Sequence, residues 1–318
     1  MKPKKRAISK YQIKCPICNN KKKKIIIWDS FIRSGNKSGR ATNGGWISKP
    51  IFTPSKEKIY KCLNCDVGFL KNLRNNLEIN NKLFRKIFDG SNSVKKYKSF
   101  NQPRELRKFK KIEKLVNFKN KTVFESNCGG GVILDKIKKK AKKTVGLDHE
   151  GYRKYLESKG HLFFSNLIQI KKSNLKFDII LSLGEIEHKF NPSLFLKKLK
   201  TILSEKGIII FRIPNYNNIY KFFIERNFLK YDYRISHNFY FSEKSLDFFF
   251  KSNDMDIIKK TGLHEYSFNH LIDFIKKQKR VSDKKRQNLV NENLNKLIIK
   301  NLENNMVSTS LLYIVKKK

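Results

Sequence analysis

The sequence predicts an α/β fold, an open sheet with helices on both faces, preceded by a small second module. Three observations predict it. Thr122-Val123-Phe124 is a short β-branched and aromatic run that leads through Asn127-Cys128-Gly129-Gly130-Gly131 into the apolar-periodic Val132-Ile133-Leu134. Strand, glycine turn and helix in that order open a βαβ unit, whose turn lets a ligand approach the backbone near a helix N-terminus. Strand-like and helix-like segments then alternate along the chain, the pattern of an α/β sheet. Finally, at 318 residues the chain exceeds what one core usually covers, so one large domain plus one small one is expected.

In chain order, residues 1–14 read as a basic tail. KPKKR has no apolar region behind it, as a signal peptide would require, and a solvated tail is a better reading than an import or nucleic-acid patch. Residues 15–75 carry Cys15-Pro16-Ile17-Cys18 and Cys62-Leu63-Asn64-Cys65. Two C-x-x-C turns offer four thiolates to one tetrahedral ion, so Cys15, Cys18, Cys62 and Cys65 are the expected ligands of a structural Zn2+ in a zinc-ribbon-like domain. The four thiolates leave no coordination position for a substrate. A redox dithiol is the weaker reading, because neither pair sits in a thioredoxin-like βαβ context, and disulfides are not expected in a reducing compartment. The insert SGNKSGRATNGG reads as a loop between two strands. Residues 76–118 form a basic helical connector, with Gln102-Pro103 as a helix boundary.

From residue 119 the large domain begins. A dinucleotide fingerprint starting at Gly129 would need a small residue at 134, where Leu134 stands. The spacing acidic-x-G-x-G-x-G fits better, as Glu125, Asn127, Gly129 and Gly131. Asn127 replaces the first glycine, and Asn tolerates positive φ. Taken alone, such a turn is also compatible with a bare strand-to-helix connection. Thr144–Leu147 then reads as a strand ending in Asp148, roughly 20 residues past the glycines, where such folds bind a ribose hydroxyl. A helix over 152–160, a strand over 162–164, and the strand FDIILSLGEIEH from Phe177 follow. The last carries Gly184, Glu185, Glu187 and His188 just past its end. A helix over 193–203 ends near Lys206-Gly207, and GIIIFRIPN from Gly207 is another buried strand.

The order FESNCGGG, VGLD, FDIILSLGEIEHKFNP, LKTILSEKGIIIFRIPN and HNFYFSEKSL, over most of residues 120–260, resembles class I S-adenosylmethionine-dependent methyltransferases. The resemblance implies a Rossmann-like seven-stranded sheet. It also implies a glycine loop for the methionine part, an acid after the second strand for the ribose, and residues flanking the sulfonium after the fourth. Those positions are Glu125, Asn127, Cys128, Gly129 and Gly131, then Asp148, then Ser182, Leu183 and Gly184. YKCLNCDVGFLKN resembles the small zinc-binding domain that precedes some bacterial methyltransferases of sugar, cell-surface and natural-product pathways. An unrelated zinc ribbon that binds nucleic acid is the alternative. In that family the connector packs over the cofactor cleft.

Beyond Asn215 the aromatic stretch YNNIYKFFIERNFLKYDY fits either an acceptor pocket or ordinary core. A helix over 243–251 and a strand over 256–260 resume the sheet. Residues 265–306 read as a helical insertion or dimer contact. Thr309–Val315 is a last strand, antiparallel where the resemblance holds.

Methyl transfer is an in-line displacement, accelerated by proximity and helped by a general base when the acceptor is a hydroxyl or an acidic carbon. His188, beyond the fourth strand, and His237, in HNFYFS, are the candidate catalytic bases. Two departures narrow the acceptor. Sugar C-methyltransferases with this zinc module carry a Tyr-x-Glu-His-type cluster, and here Arg234 and Ser236 precede His237. A Glu-x-x-Glu-His set is associated with a divalent ion in ubiquinone-pathway O-methyltransferases. Here Glu187-His188 remain, and Gly184 stands for the first Glu.

The net charge of +44 suggests a polyanionic partner, but the excess is mostly lysine beside abundant Asn, Ile and Phe, the pattern of A/T-rich coding DNA. Phosphate readers favour Arg, so nucleic acid is admitted as a partner without being favoured. No apolar run approaches the roughly 18 residues of a membrane span, and a soluble cytoplasmic protein is expected. The sequence thus points to a methyltransferase of a small-molecule or glycan-linked acceptor, with a hydroxyl favoured over carbon. The alternatives are an RNA or protein methyltransferase that docks through its basic face, and a non-enzymatic zinc-ribbon binding protein with an inactive Rossmann-like domain.

Overall fold

The computed structural model describes residues 14–27, 59–71, 73, 93–223, 237–277 and 289–318. The basic tail up to residue 13, the SGNKSGRATNGG insert, residues 76–92, Arg234, Ser236 and residues 224–233 of the aromatic stretch lie outside the described residues.

The first described sheet is small. β1 (Lys23–Ile27) pairs antiparallel with β2 (Ile59–Cys62), and β2 with β3 (Gly68–Leu70). Asp66, at φ 65°, turns the chain between β2 and β3 and donates its amide to the Cys62 carbonyl. The fourth strand comes from far along the chain: β9 (Phe239–Tyr240) pairs antiparallel with β3, which gives the order β1-β2-β3-β9. The cysteine module is thus joined edge to edge with residues that follow the large sheet's parallel strands.

The large sheet has seven strands in the order β10-β11-β8-β7-β4-β5-β6. Its strands are β4 (Thr122–Ser126), β5 (Lys143–Leu147), β6 (Leu162–Phe164), β7 (Phe177–Leu183), β8 (Leu203–Pro214), β10 (Met255–Leu263) and β11 (Ser310–Lys317). β6, β5, β4, β7 and β8 run parallel, while β11 is antiparallel to both β8 and β10. The expected Rossmann-like sheet, with its antiparallel last strand, is therefore present.

Helices α1 (Ser93–Ile112), α2 (Val132–Ile137), α3 (Arg153–Ser158), α4 (Leu167–Lys172) and α5 (Pro192–Ile202) accompany the parallel strands. α6 (Glu243–Lys251), α7 (Phe268–Lys277) and α8 (Glu292–Asn304) accompany the antiparallel ones.

Side chains alternate across a strand, and that alternation divides the sheet into two cores. On one face Phe124, Ile180, Ile209, Phe211, Leu311 and Tyr313 pack with Phe195, Leu196 and Leu199 of α5 and with Leu246, Phe249 and Phe250 of α6. On the other, Val123, Ile179, Leu181, Ile210, Leu312 and Ile314 pack with Phe109 and Ile112 of α1 and with Ile133 and Ile137 of α2. Truncating any of these large residues to Ala costs about 2–5 kcal/mol. α5 shows why its segment is helical: Asn191 caps it by accepting from the Leu194 amide, Pro192 opens it, and its apolar residues share one face.

Two expectations are corrected, and one further helix is found. Pro103 lies inside α1 instead of bounding it. A proline there forfeits a hydrogen bond and crowds the preceding turn, but Phe109 and Ile112 beyond it anchor the helix in a core. β8 begins at Leu203, directly after α5, and Gly207 falls inside it. Leu203 is buried and pairs with Phe177, so the chain passes straight from helix to strand. A Cβ at Gly207 would stand 2.8 Å from the Phe177 carbonyl, beside a shift in register between Phe177 and Ile179, the close approach that glycine permits in a strand. α4 was not foreseen. Asn166, accepting from the Gln169 amide at 3.0 Å, is its start signal.

Among the described residues no helix is long and apolar enough to cross a membrane.

Candidate active site

Open α/β sheets bind ligands at the carboxyl ends of their strands, and the sequence-predicted residues gather there. Glu125 and Ser126 end β4, and the turn after them holds Asn127, Gly129 and Gly131 at φ 61°, 53° and 67°. These are left-handed values that Asn and Gly adopt at least cost. Gly131 is also closely approached: a Cβ there would meet Leu156 Cδ2 at 2.5 Å. Cys128 is buried with Leu134, Tyr152, Leu156 and Phe163, and burial pushes its thiol well up, which makes it an apolar filler more than a nucleophile.

Asp148 follows the end of β5 and turns toward the glycines. Its Oδ2 accepts the Gly129 amide at 2.6 Å and its Oδ1 the His149 amide at 2.6 Å. Burial raises its pKa to about 6, and these amide bonds oppose the rise. Glu125 is more extreme. It is 4% exposed, its Oε2 is buried with no hydrogen-bond partner, and burial, with Glu105 next in effect, raises its pKa well above the carboxylate range. The Ser126 hydroxyl is also buried without a partner. One glycine turn is thus flanked by two buried acids and an unsatisfied hydroxyl. Buried polar atoms of this kind cost free energy unless something pairs with them.

α1 adds a layer of charge that the sequence reading missed. Lys108 donates to Glu105 at 2.9 Å, both side chains are buried, and both act on the charge of Glu125. Nearby, Arg212 of β8 pairs with buried Glu265, whose pKa the cations around it, Arg212 foremost, hold down at about 2 against the opposing effect of burial. The available signal was weak: Glu105 is the single acid in a helix otherwise rich in Lys and Arg. α1 is tied to α2 by Lys98, which donates to Asp135 at 2.7 Å, and His161 also contacts Asp135, at 3.0 Å.

β7 supplies the other half of the edge. Ser182 and Leu183 end the strand, and Gly184, at φ 93°, turns the chain into the short helical segment Ile186–His188. The Ser182 hydroxyl donates to Glu185 at 3.4 Å, and Glu185 also pairs with Lys189 at 2.5 Å. The rings of His188 and His237 meet edge to face, with centroids 4.6 Å apart and planes at 77°. The two catalytic candidates, from separate parts of the chain, therefore stand together. Glu187 joins them, its Oε1 3.9 Å from His188 Nε2. Asn238 holds the arrangement in place: its amide donates to the Glu187 carbonyl at 2.8 Å and its side chain to the His188 carbonyl at 3.0 Å.

A further aromatic group lies beyond Asn215. Tyr220 hydrogen-bonds His270 Nδ1 at 2.7 Å, and Tyr266 stacks on His270 with centroids 4.6 Å apart. Beside them His264 is buried, and burial lowers its pKa to about 4.

The four cysteines converge as their spacing predicts. Cys15 and Cys65 lie 3.7 Å apart and Cys18 and Cys62 3.4 Å apart, and all four sulfurs fall within 4.8 Å of one another as free thiols. Zn–S bonds of 2.3 Å in a tetrahedron put sulfurs about 3.8 Å apart, so this donor set fits zinc. Two surface hollows of about 350 Å³ flank Leu115–Asn117. One of them also touches Lys121, Asp178 and Lys206, at the amino ends of the strands and away from these residues.

The chain also resembles known proteins. Residues 97–260 match the family model described as a methyltransferase domain. No curated protein matches the sequence. Among solved structures, a chain from the complex between the Trm112 methyltransferase activator of Haloferax volcanii and a methyltransferase aligns with a TM-score of 0.50 at 11% identity, covering 72% of this chain and 97% of that one. A SAM-dependent methyltransferase of Thermotoga maritima aligns at 0.49 and 17% identity, covering 74% and 98%. One from Archaeoglobus fulgidus aligns at 0.45 and 20% identity, covering 74% and 99%. At 11% identity the first of these likenesses is one of fold alone.

Proposed function

Because this chain belongs to the methyltransferase-domain family, we propose that it transfers a methyl group from S-adenosylmethionine to a small-molecule or glycan-linked acceptor, a hydroxyl in preference to carbon. The observation that carries the reading is the glycine turn flanked by two buried acids, Glu125 with an unpartnered carboxylate oxygen and Asp148 held on the Gly129 amide.

In this reading Glu125 accepts from the donor's ammonium group, and Asp148 accepts from its ribose hydroxyls. Gly129 and Gly131 let the methionine part approach the backbone, with Asn127 and Cys128 shaping the same turn. Ser182, Leu183 and Gly184 flank the reacting centre. When bound, the donor supplies an electrophilic methyl group on a sulfonium. The protein's share is chiefly position and orientation, together with removal of the acceptor's proton. His188 and His237, in contact past the end of β7, take that proton, since imidazole accepts one near neutral pH. Zinc held by Cys15, Cys18, Cys62 and Cys65 has a structural role, with every ligand position filled by a thiolate.

A methyl-labelled donor separates the acceptor classes. Incubated with the protein and fractionated cell extract, label should appear in small molecules or glycan intermediates, and salt should change the rate little. Label appearing in RNA, with a rate that falls steeply as salt rises, would instead mark docking on phosphates through the chain's +44 charge.

A further inference from the structure

We propose that the amino edge of the large sheet, opposite the candidate active site, is a docking surface for anionic lipid bilayers. The edge is assembled from separate parts of the chain. The Asn120 amide donates to the Lys140 carbonyl at 3.0 Å and the Lys142 amide to the Lys121 carbonyl at 2.9 Å. The loops ahead of β4 and β5 therefore hold their lysines side by side. β11 is antiparallel, and its end brings Lys317 to the same edge, opposite Met255 at the start of β10. In the stretches that form this edge, 114–121, 138–143, 171–176, 197–206, 251–259 and 316–318, every basic residue is lysine.

Some of these lysines serve the fold. Lys176 donates to the Thr201 carbonyl at 2.6 Å and Lys317 to the Leu203 carbonyl at 3.0 Å, which caps the end of α5. Lys121, Lys139, Lys142, Lys143 and Lys206 do not. They are exposed, and no side-chain hydrogen bond or ion pair holds them among the described residues. The acids at this edge are fewer. Glu113 pairs with Lys140 at 3.6 Å, Asp178 accepts the Thr122 amide at 2.8 Å, and Glu205, Asp254 and Asp256 complete the set. Crowding is felt at Lys317, whose pKa is lowered by burial and then by the like charges of Lys176 and Lys200. A coding bias toward lysine sets how many lysines the chain carries, and not the edge on which they gather. The carboxyl edge differs in kind: it buries Glu125, Asp148, Glu185 and Glu187.

Three features favour a bilayer over nucleic acid. Phosphate readers use the bidentate fork of Arg, which this edge lacks. Single strands are bound on exposed aromatic platforms, and Phe118 and Phe177, the aromatics at these strand starts, are buried. In their place, the hollow of about 350 Å³ beside Lys121, Lys206 and Lys259 is lined by Ile208, Ile314 and Ile258, the last 52% exposed. Lysines around apolar side chains suit an interface where headgroup phosphates lie above acyl chains. The placing suits an anchor. The seven residues of β7, at about 3.3 Å each, set the two edges roughly 20 Å apart, so a bilayer bound here leaves the carboxyl edge open. The docking surface does not depend on the methyl-transfer reading.

The test mixes the full chain with vesicles of phosphatidylcholine, alone or with about one-third phosphatidylglycerol, and measures co-sedimentation. Binding should require the anionic lipid and weaken as salt rises. Each lysine near such a surface adds about fivefold in affinity, so Lys139→Gln, Lys142→Gln and Lys143→Gln combined should weaken binding roughly a hundredfold. Lys154→Gln, Lys244→Gln and Lys276→Gln combined remove equal charge from exposed lysines elsewhere, and should weaken it by less than about fivefold. In the wild type, anionic vesicles should shield Lys121, Lys139, Lys142 and Lys143 from an acetylating reagent and leave Lys154 and Lys244 reactive, a readout that needs no variant to fold. No binding to anionic vesicles, equal binding to both kinds, equal losses in the two triple variants, or shielding spread evenly over these lysines would each overturn the proposal. So would tighter binding to a random-sequence RNA than to anionic vesicles, lost in the amino-edge triple variant, which would give the edge to nucleic acid.

Discussion

On one half of the sheet's carboxyl edge, Glu125, Asn127, Gly129, Gly131 and Asp148 come from a single β-turn-α-β passage, and backbone dihedrals and two amide hydrogen bonds shape them. On the other half, Gly184, Glu187, His188 and His237 come from separate parts of the chain, and the cysteine module helps to place them. Leu70 of β3 donates to the Asn238 carbonyl, Asn238 donates to the carbonyls of Glu187 and His188, and Ser242, the cap of α6, donates to Asp66 at 2.6 Å. The difference assigns the cysteine module a task. It is far in sequence from the chemistry, yet its last strand is part of the scaffold on which the proposed acceptor side is built. The hydrogen bonds that shape the donor side, from Asp148 to the Gly129 and His149 amides, lie within its own passage.

The largest expected effect breaks that comparison directly. Cys65→Ala removes a metal ligand, and structural zinc contributes about 10–16 kcal/mol to folding of such modules. Metal analysis should find about one zinc per wild-type chain and none in the variant. Methyl transfer should fall by roughly a hundredfold or more, since loss of one catalytic or positioning group typically costs 10²–10⁴-fold. Affinity for S-adenosylmethionine, read by calorimetry, should change only a few-fold. Full turnover in a zinc-free chain would show the two halves to be independent.

The pH dependence sharpens the donor half. Asp148 titrates at about 6 instead of its usual value near 4, because burial disfavours its charge. Below pH 6 it carries a proton and cannot accept from two ribose hydroxyls. Donor affinity should therefore be flat above pH 7 and about tenfold weaker at pH 5. Stability of the donor-free protein should change in the opposite direction. A carboxyl whose folded pKa is raised contributes stability that is fully present below its unfolded value, and that contribution is lost as pH rises through about 6. Urea unfolding from pH 4 to 7 would show whether Asp148→Asn removes this slope.

Two smaller effects test the turn. Gly131→Ala must adopt φ 67° and displace Leu156 Cδ2, which should cost about 1–3 kcal/mol in urea unfolding. Asn127→Ala loses a residue suited to φ 61° and should cost about 1 kcal/mol, whereas Asn127→Gly should lie near zero.

How far each half was legible follows from how it is built. The acids and glycines of the donor half are spaced within one local unit, and the positive φ of Asn127 answers the spacing argument that placed it there. The seven-stranded sheet was what the methyltransferase resemblance implied, and the observed order β10-β11-β8-β7-β4-β5-β6 has its seven strands. β9 is only two residues long and is defined by its pairing with β3, so no local signal marks it. The meeting of His188 with His237 depends on that pairing, and hence both residues were named without their contact. Pro103 misled for a related reason. Its local preference ends helices, and the core contacts of Phe109 and Ile112, invisible in the local sequence, outweigh it. Glu105 and Lys108 were missed because an i,i+3 charge pair on a basic helix usually faces solvent, and here it is buried.

The central claim is that the turn after β4 and the acid after β5 bind the methyl donor, and calorimetric titration of S-adenosylmethionine into wild type and Asp148→Ala tests it most directly. The account predicts saturable binding by the wild type at one site per chain, weakened roughly tenfold to a hundredfold in the variant, as loss of hydrogen bonds to a charged group implies. No heat at millimolar donor, or equal affinity in both proteins, would contradict it.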